Sequence, residues 1–406
     1  MSVPSRDEPV ARLTGHRLDA IRSVEAFIIS VPREVPYLGP LREGESINER
    51  GYLIRKGNRS IYPASDLSVV VKVTGESGTV GWGETYGIAA PEAVKAIIDD
   101  LLAPVMRGRD PSAPAVLHED LYDLMRVRGF TSGYYVDALA GVDIAVWDLF
   151  GRLTGLSISQ LAGGRRHERL PAYVSGLPRA TLDERCALAA EWVDKGFRAI
   201  KFAAAVAEDD IVKEMAALRE AVGPSVDLMV DLHWKFEASE AIRLIRKLEA
   251  HDLYFAEAPC QPEDVEGQAR VAMGIGTVLA LGEEWRTPYE CRPRFERRAM
   301  GVIQPEIGHT GVTEFLRIGT MAHAFHVRVI PHASISLGLF MAASLQATAA
   351  LQRVPYHEYQ HSIFDRNLAF TAGDMACESG FYTLPAGPGL GVEPTDALFQ
   401  HIKVGP

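Results

Sequence analysis

The chain has 406 residues, enough for one large or two ordinary domains with a substantial core. Hydrophobic residues at 47% and charged residues at 23% are ordinary for a globular protein. A net charge of −11 argues against nucleic acid or an anionic membrane surface as the main partner, while a local cation can still receive an acidic small molecule. No apolar run of about 18 residues occurs, so no spanning helix is expected. Four cysteines (Cys186, Cys260, Cys291, Cys377) stand far apart without metal-binding or redox spacing, which reads as reduced thiols in a cytoplasmic protein. Residues 1–17 are polar, lack the apolar core of a secretory signal and read as a flexible tail.

Residues 18–150 read as an α+β unit. "VEAFIISV" and "DLSVVVKVTGESGTVGWGE" are antiparallel strands, with "ESGTVG" turning between the last two. Helices follow around "PEAVKAIIDDLLAPVM" and "VDALAGVDIAVWDLFGRLTG". From about residue 171 short β-branched or aliphatic runs recur: "LPAYVS", "FRAIKFA", "VDLMVDLH", "LYFAEAP", "VLALGEE", "GVIQPEI", "VRVIPHA" and "VPYHEY". They start roughly every 23 to 28 residues, one βα unit apiece. Amphipathic helices lie between them. "DDIVKEMAALREAVG" places Ile211, Met215, Leu218 and Val222 on one face, with Asp209 or Asp210 to begin it and Gly223 to end it. Eight such strands close most economically into a parallel barrel. "SIFDRNLAFTAGD" after the last strand is irregular and polar. The expectation is therefore an α/β fold, a (β/α)7β modified TIM barrel over 151–368 with an α+β capping domain over 18–150. The segment 369–406, with its strand and Gly/Pro turns, is expected to return to the capping domain. A doubly wound open sheet is the rival, weakened by the lack of a glycine-rich phosphate fingerprint after any early strand.

In a parallel barrel the chemistry sits at the C-terminal ends of the strands. Read in order, these ends carry Lys201, then Asp231 with His233, Glu257, Glu283, Glu306, His332 and Glu358. Asp231 and His233 are two apart on a strand and so share a face. Asp231, Glu257 and Glu283 are each 26 residues apart, which puts them at equivalent places on adjacent strands. Carboxylates about 4 Å apart repel by roughly 4 kcal/mol per pair at an effective dielectric near 20. A hard dication with oxygen ligands relieves this, and three carboxylates with open positions suit Mg²⁺, one per subunit. The alternative is a structural network in which one or more of the acids pairs with a basic side chain such as Lys201. Glu306 and His332, one unit apart, make a general base with an orienting carboxylate; the plain alternative is a histidine satisfied by a backbone carbonyl.

These residues carry a family likeness over nearly the whole chain. "GWGE" (Gly81 to Glu84), "AGVDIAVWDLFGRLTG", the acids in "VDLH", "AEAP" and "LGEE", and "PGLGVE" resemble the enolase superfamily, in its mandelate racemase/muconate lactonizing enzyme-like group. The resemblance implies Mg²⁺ held by Asp231, Glu257 and Glu283, and chemistry that begins by removing the proton α to a carboxylate. Racemase-like members carry Lys-x-Lys at the second strand; here "KFA" keeps Lys201 but has Ala203 in place of the second lysine. His233, His332 and Glu358 are similar to the pattern of galactonate-type acid-sugar dehydratases. That likeness makes His332 the base, oriented by Glu306, and His233 the acid that expels the β-hydroxyl. Glu358 would hydrogen-bond the developing enediolate or the substrate carboxylate, and Lys201 would help neutralise the latter. Glu306 stands where an aspartate is more usual.

The expected activity is dehydration of an aldonate or aldarate to a 2-keto-3-deoxy acid. A racemase or epimerase using His332 with Lys201 or His233, and a non-catalytic binding relative, are the alternatives. The partner is a small-molecule carboxylate, with no nucleic acid or membrane, and the protein is expected to be a homo-oligomer. Segments 34–63 and 126–137 read as lid loops. Within the first, Tyr37 and Tyr62 are candidate pocket walls, while Arg55, Lys56 and Arg59 either meet substrate oxygens or form a solvated charge run.

Overall fold

The computed structural model describes residues 18–56, 59–204, 210–334 and 336–403; the tail expected over 1–17, and Asp209, lie outside the described residues. Strand β1 (Ile21–Pro32) leads into a small hairpin of β2 (Tyr52–Ile54) with β3 (Ile61–Pro63). It pairs antiparallel with β4 (Ser65–Gly75), which pairs with β5 (Val80–Tyr86), and this three-stranded sheet begins the capping domain.

The next elements explain how cap and barrel become one body. Helix α1 (Pro114–Arg126) precedes helix α2 (Tyr134–Thr154), of whose residues sixteen are buried. A helix buried nearly all round must lie between layers, and α2 packs against both β5 and the barrel helix Ile307–Ala324. Its approach to β5 depends on two glycines of "GWGE". A Cβ at Gly81 would stand 2.2 Å from the Ala145 carbonyl, and one at Gly83 would stand 2.1 Å from that of Gly141. Buried carboxylates then stitch the layers. Asp143 accepts from Thr313 N at 2.8 Å, and Asp148 accepts from Trp82 N at 2.8 Å and Leu390 N at 2.7 Å.

The barrel strands are β6 (Arg169–Ser175), β7 (Ala199–Ala203), β8 (Asp227–Asp231), β9 (Leu253–Glu257), β10 (Val278–Leu281), β11 (Val302–Ile303), β12 (Arg328–Val329) and β13 (His357–Tyr359). They form one parallel ladder, with β13 against β6 and then β6 through β12 in order. Between β12 and β13 the circle closes by single bonds, including Glu358 N to Pro331 O at 3.4 Å. Seven helices follow the first seven strands, so the (β/α)7β barrel is present as expected. The anticipated helix runs Ile211–Val222, with the Asp210 side chain accepting from Val212 N and Gly223 at its end. Tyr173, Ala199, Met229, Phe255, Ala280, Val302 and Ile330 fill the interior, so this is a packed core and not a pore.

Two details differ from expectation. After β13 the chain forms a short helix, His361–Asn367, where an irregular stretch was expected. Phe381–Thr383 pairs antiparallel with β6, giving the barrel an added strand before the chain reaches α2 through Leu390 and bridges β1 at Ile402.

Glu84 at the end of "GWGE" is fully buried and accepts from Ser68 Oγ at 2.8 Å, Leu337 N at 2.7 Å and Phe340 N at 3.1 Å. It clamps the cap onto the segment that follows β12. Glu84→Ala strands these donors and should cost about 3 kcal/mol or more of unfolding free energy, read as a lower denaturant midpoint.

Candidate active site

Asp231 ends β8 and stands in register with Glu257, which ends β9. Glu257 in turn is level with Ala280, so the equal sequence spacing does not make all three acids equivalent. Glu283 lies beyond the end of β10 and is brought back by a turn at Gly282, whose φ is 118°. Nor does His233 share a strand face with Asp231. The strand ends at Asp231, and His233 sits in a turn with φ 48°. Proximity survives by another route: Asp231 accepts from His233 N at 2.9 Å, and its other oxygen is 3.0 Å from His233 Nδ1.

The basic groups interleave with the acids. Lys201 Nζ bonds both oxygens of Glu257, at 2.9 and 2.7 Å, and lies 3.2 Å from Glu358. Burial alone would depress this ammonium, but Glu257 and Glu358 hold it well above its ordinary range, so it is a standing cation. His332 Nδ1 meets Glu306 at 2.7 Å, while Nε2 is 3.0 Å from Glu283 and 3.7 Å from Glu358. Against the effect of burial, Glu283, Glu358 and Glu306 hold the imidazole well above its usual range. Despite burial, Lys201 and His332 bring Glu358 down to about 2, and it accepts from Ser175 Oγ at 2.5 Å and Ala333 N at 2.8 Å.

Among the described residues no three His, Cys, Asp or Glu side chains form a closed metal cluster, and each of the three acids faces a basic side chain. The donor set nonetheless fits a hard dication. Among the described residues, the ion pairs of Asp231, Glu257, Glu283, Glu306 and Glu358 are made with Lys201, His233 and His332, five carboxylates to three basic groups. Burial raises Glu257, and raises Glu283 well above the carboxylate range, against the pull of Lys201 and His332. Asp231, Glu257 and Glu283 are all-oxygen donors of the kind Mg²⁺ takes.

The lid residues divide. Arg55 is buried, and its five N–H donors go to Tyr37 O, Pro40 O, Gly39 O and Glu45. No donor remains for a substrate; Arg55 instead folds the 37–45 loop upon itself. Lys56 Nζ bonds Glu43 O at 2.7 Å, and Arg59 is exposed. The loop so folded carries Tyr37 to the barrel mouth, where its hydroxyl bonds Ser334 and feels Glu358. Tyr62 packs on Tyr37 with ring centroids 5.4 Å apart.

Several site neighbours had no recognisable signal in the sequence. Gln304 Nε2 donates to Glu257 at 2.8 Å, and only its position two residues before Glu306 would have marked it. Tyr86, the last residue of β5, donates to Glu306 at 3.3 Å. Asp137 of α2 binds His309 Nδ1 at 2.6 Å and Arg286 Nε at 2.8 Å beside them, joining cap to barrel across 172 and 149 residues of sequence.

Comparison with known proteins places this geometry. Residues 64–163 match the mandelate racemase/muconate lactonizing enzyme N-terminal domain, and residues 184–398 match the enolase C-terminal domain-like family. The D-galactarolactone cycloisomerase of Agrobacterium fabrum is 33% identical, over 80% of this chain and 88% of its own length. The D-galactonate dehydratase of Xanthomonas euvesicatoria pv. vesicatoria is 29% identical, over 85% and 93%. A solved enolase-superfamily member from Agrobacterium tumefaciens superposes with a TM-score of 0.93 at 51% identity, covering 95% of this chain and 99% of that one. With both domains matched and the acids and histidines gathered at one barrel mouth, the chain belongs to the enolase superfamily, in its mandelate racemase/muconate lactonizing enzyme group.

Proposed function

We propose that this protein is a Mg²⁺-dependent lyase of sugar acids, which removes the proton α to the carboxylate and expels the β-hydroxyl to leave a 2-keto-3-deoxy acid. The observation that carries the reading is the His332–Glu306 pair at 2.7 Å, set among the three candidate ligand acids and the Lys201 cation. Bound by Asp231, Glu257 and Glu283, Mg²⁺ would polarise the substrate carboxylate and offset the negative charge that keeps His332 protonated. Glu306 fixes the imidazole with Nδ1 toward itself and leaves Nε2 to take the α-proton. Lys201 neutralises charge on the substrate carboxylate, and Glu358 orients Lys201 and His332. His233, part-exposed beside Asp231, protonates the departing hydroxyl.

A racemase needs a base on each face. Ala203 supplies none and Lys201 is bound between Glu257 and Glu358, so His233 is the remaining candidate for the second face. A second reading is ring-opening cycloisomerisation, favoured by the 33% identical relative. Both reactions take the α-proton and break the β C–O bond. They differ in whether that oxygen is a free hydroxyl, lost as water, or part of a ring. Assaying D-galactonate, D-xylonate, arabinonate and D-galactarolactone for 2-keto product, with and without Mg²⁺, separates them.

Chelation should abolish turnover on the accepted acid and Mg²⁺ should restore it, with Glu257→Gln weakening metal binding when titrated calorimetrically; full activity in metal-free protein would refute the ion's role. His332→Asn should lose turnover and exchange of the α-hydrogen with D₂O together, by about a hundredfold or more. Exchange at the wild-type rate would assign the proton to another group. His233→Asn should behave differently, exchanging the α-hydrogen while forming little product. A β-fluoro analogue, whose leaving group needs no proton, should recover elimination in that variant; normal dehydration of the natural substrate would reduce His233 to a neighbour of Asp231.

A further inference from the structure

We infer that Tyr86, which belongs to the capping domain, is a positioning residue for the barrel's Glu306–His332 pair; the inference rests on the reading of His332 as the base. Glu306 Oε2 receives two donors, His332 Nδ1 at 2.7 Å and the Tyr86 hydroxyl at 3.3 Å, and its Oε1 takes Gly308 N at 3.3 Å. A glutamate has one more rotatable bond than an aspartate, so its carboxylate holds an imidazole in one orientation only if something freezes that bond. The second donor on Oε2 does so.

Tyr86 is itself fixed. Its ring lies flat against His309, with centroids 3.9 Å apart, and parallel to Phe340 at 6.0 Å. His309 is pinned by Asp137 at 2.6 Å. Gly308 leaves the room: a Cβ there would stand 2.9 Å from Tyr86 Cδ2 and 3.0 Å from Phe340 Cδ1. The preceding residue, Thr85, bonds the Gly308 carbonyl at 2.7 Å, so the end of β5 is sewn to the start of the helix that begins at Glu306. The cap therefore supplies a hydroxyl to the base pair, and displacement of the cap would remove it.

The test compares full-length wild type, Tyr86→Phe, Glu306→Asp and the double variant, each labelled with ¹⁵N-histidine. Phenylalanine keeps the stacked ring and loses only the hydroxyl. Tyr86→Phe should shift the His332 ring-nitrogen resonances (assigned by their loss in His332→Asn), because Glu306 has one donor fewer. In the Glu306→Asp background, where the shorter carboxylate is drawn back from Tyr86, the same substitution should shift them much less. On the panel acid turned over by wild type, kcat for α-hydrogen exchange should fall about tenfold with KM unchanged, the loss of one hydrogen bond to a charged group. Unchanged His332 resonances in Tyr86→Phe, or an equal shift in both backgrounds, would overturn the inference. His332→Asn that still exchanged the α-hydrogen would instead refute the base assignment, leaving the Tyr86–Glu306 contact to be read from the resonances alone.

Discussion

Uncompensated negative charge at the mouth of the barrel is the constraint on which the site depends. Four buried carboxylates and the part-buried Glu283 converge there on one lysine and two imidazoles. Burial makes each ionised acid costly, and repulsion adds to that cost. The protein responds by giving every acid a cationic or hydrogen-bonding neighbour: Lys201 for Glu257 and Glu358, His332 for Glu283 and Glu306, His233 for Asp231. The same interactions set the geometry of the basic groups. They hold Lys201 charged, give His332 a fixed orientation, and leave five carboxylates to three basic groups, an excess suited to a dication.

The architecture was legible because it repeats. Eight apolar runs at near-constant spacing dictate eight strands, and the acids that end them, such as Glu257 and Glu358, appear in the sequence as breaks in an apolar pattern. The pairing of Glu306 with His332 followed from neighbouring strand ends and is found at 2.7 Å. Spacing failed where register and turns intervened. Glu283 is not level with Glu257, and His233 is not on the strand at all. Arg55 looked like a substrate cation because basic content alone cannot show that carbonyls of its own loop consume every donor. Tyr86, Asp137 and Gln304 were invisible for a related reason: their partners lie 220, 172 and 47 residues away, and no local pattern announces such contacts.

Those long-range contacts join the capping domain to the barrel mouth. Helix α2 is buried on nearly all sides and spends its acids on partners outside itself, with Asp137 reaching His309 and Arg286, Asp143 reaching Thr313, and Asp148 reaching Trp82 and Leu390. Glu84 does the same from β5. Buried charges are tolerated when fully hydrogen-bonded and are costly to break, so this arrangement favours one docking geometry over nearby ones. The first lid is held by a separate device, the Arg55 clasp. It carries Tyr37 to the rim, where its hydroxyl meets Ser334.

The strand ends show how the candidate ligands are aimed. A strand that simply ran on past its acid would carry the chain away from the axis. Instead the chain turns sharply beside each ligand through a left-handed residue: His233 (φ 48°) after Asp231, Ala258 (φ 45°) after Glu257, and Gly282 (φ 118°) before Glu283. For His233 and Ala258 that conformation costs on the order of 1–2 kcal/mol each, a cost glycine avoids. Cross-strand bonds sustain it. Trp234 N donates to Ala258 O at 2.6 Å, Ala258 N to Ala280 O at 3.1 Å, and Leu232 N to Glu257 O at 3.0 Å, so each turn is braced by the next strand. The strain is thus distributed around the rim, and it falls where the reaction needs side chains to converge. His233 owes its place beside Asp231 to this turn and not to strand periodicity.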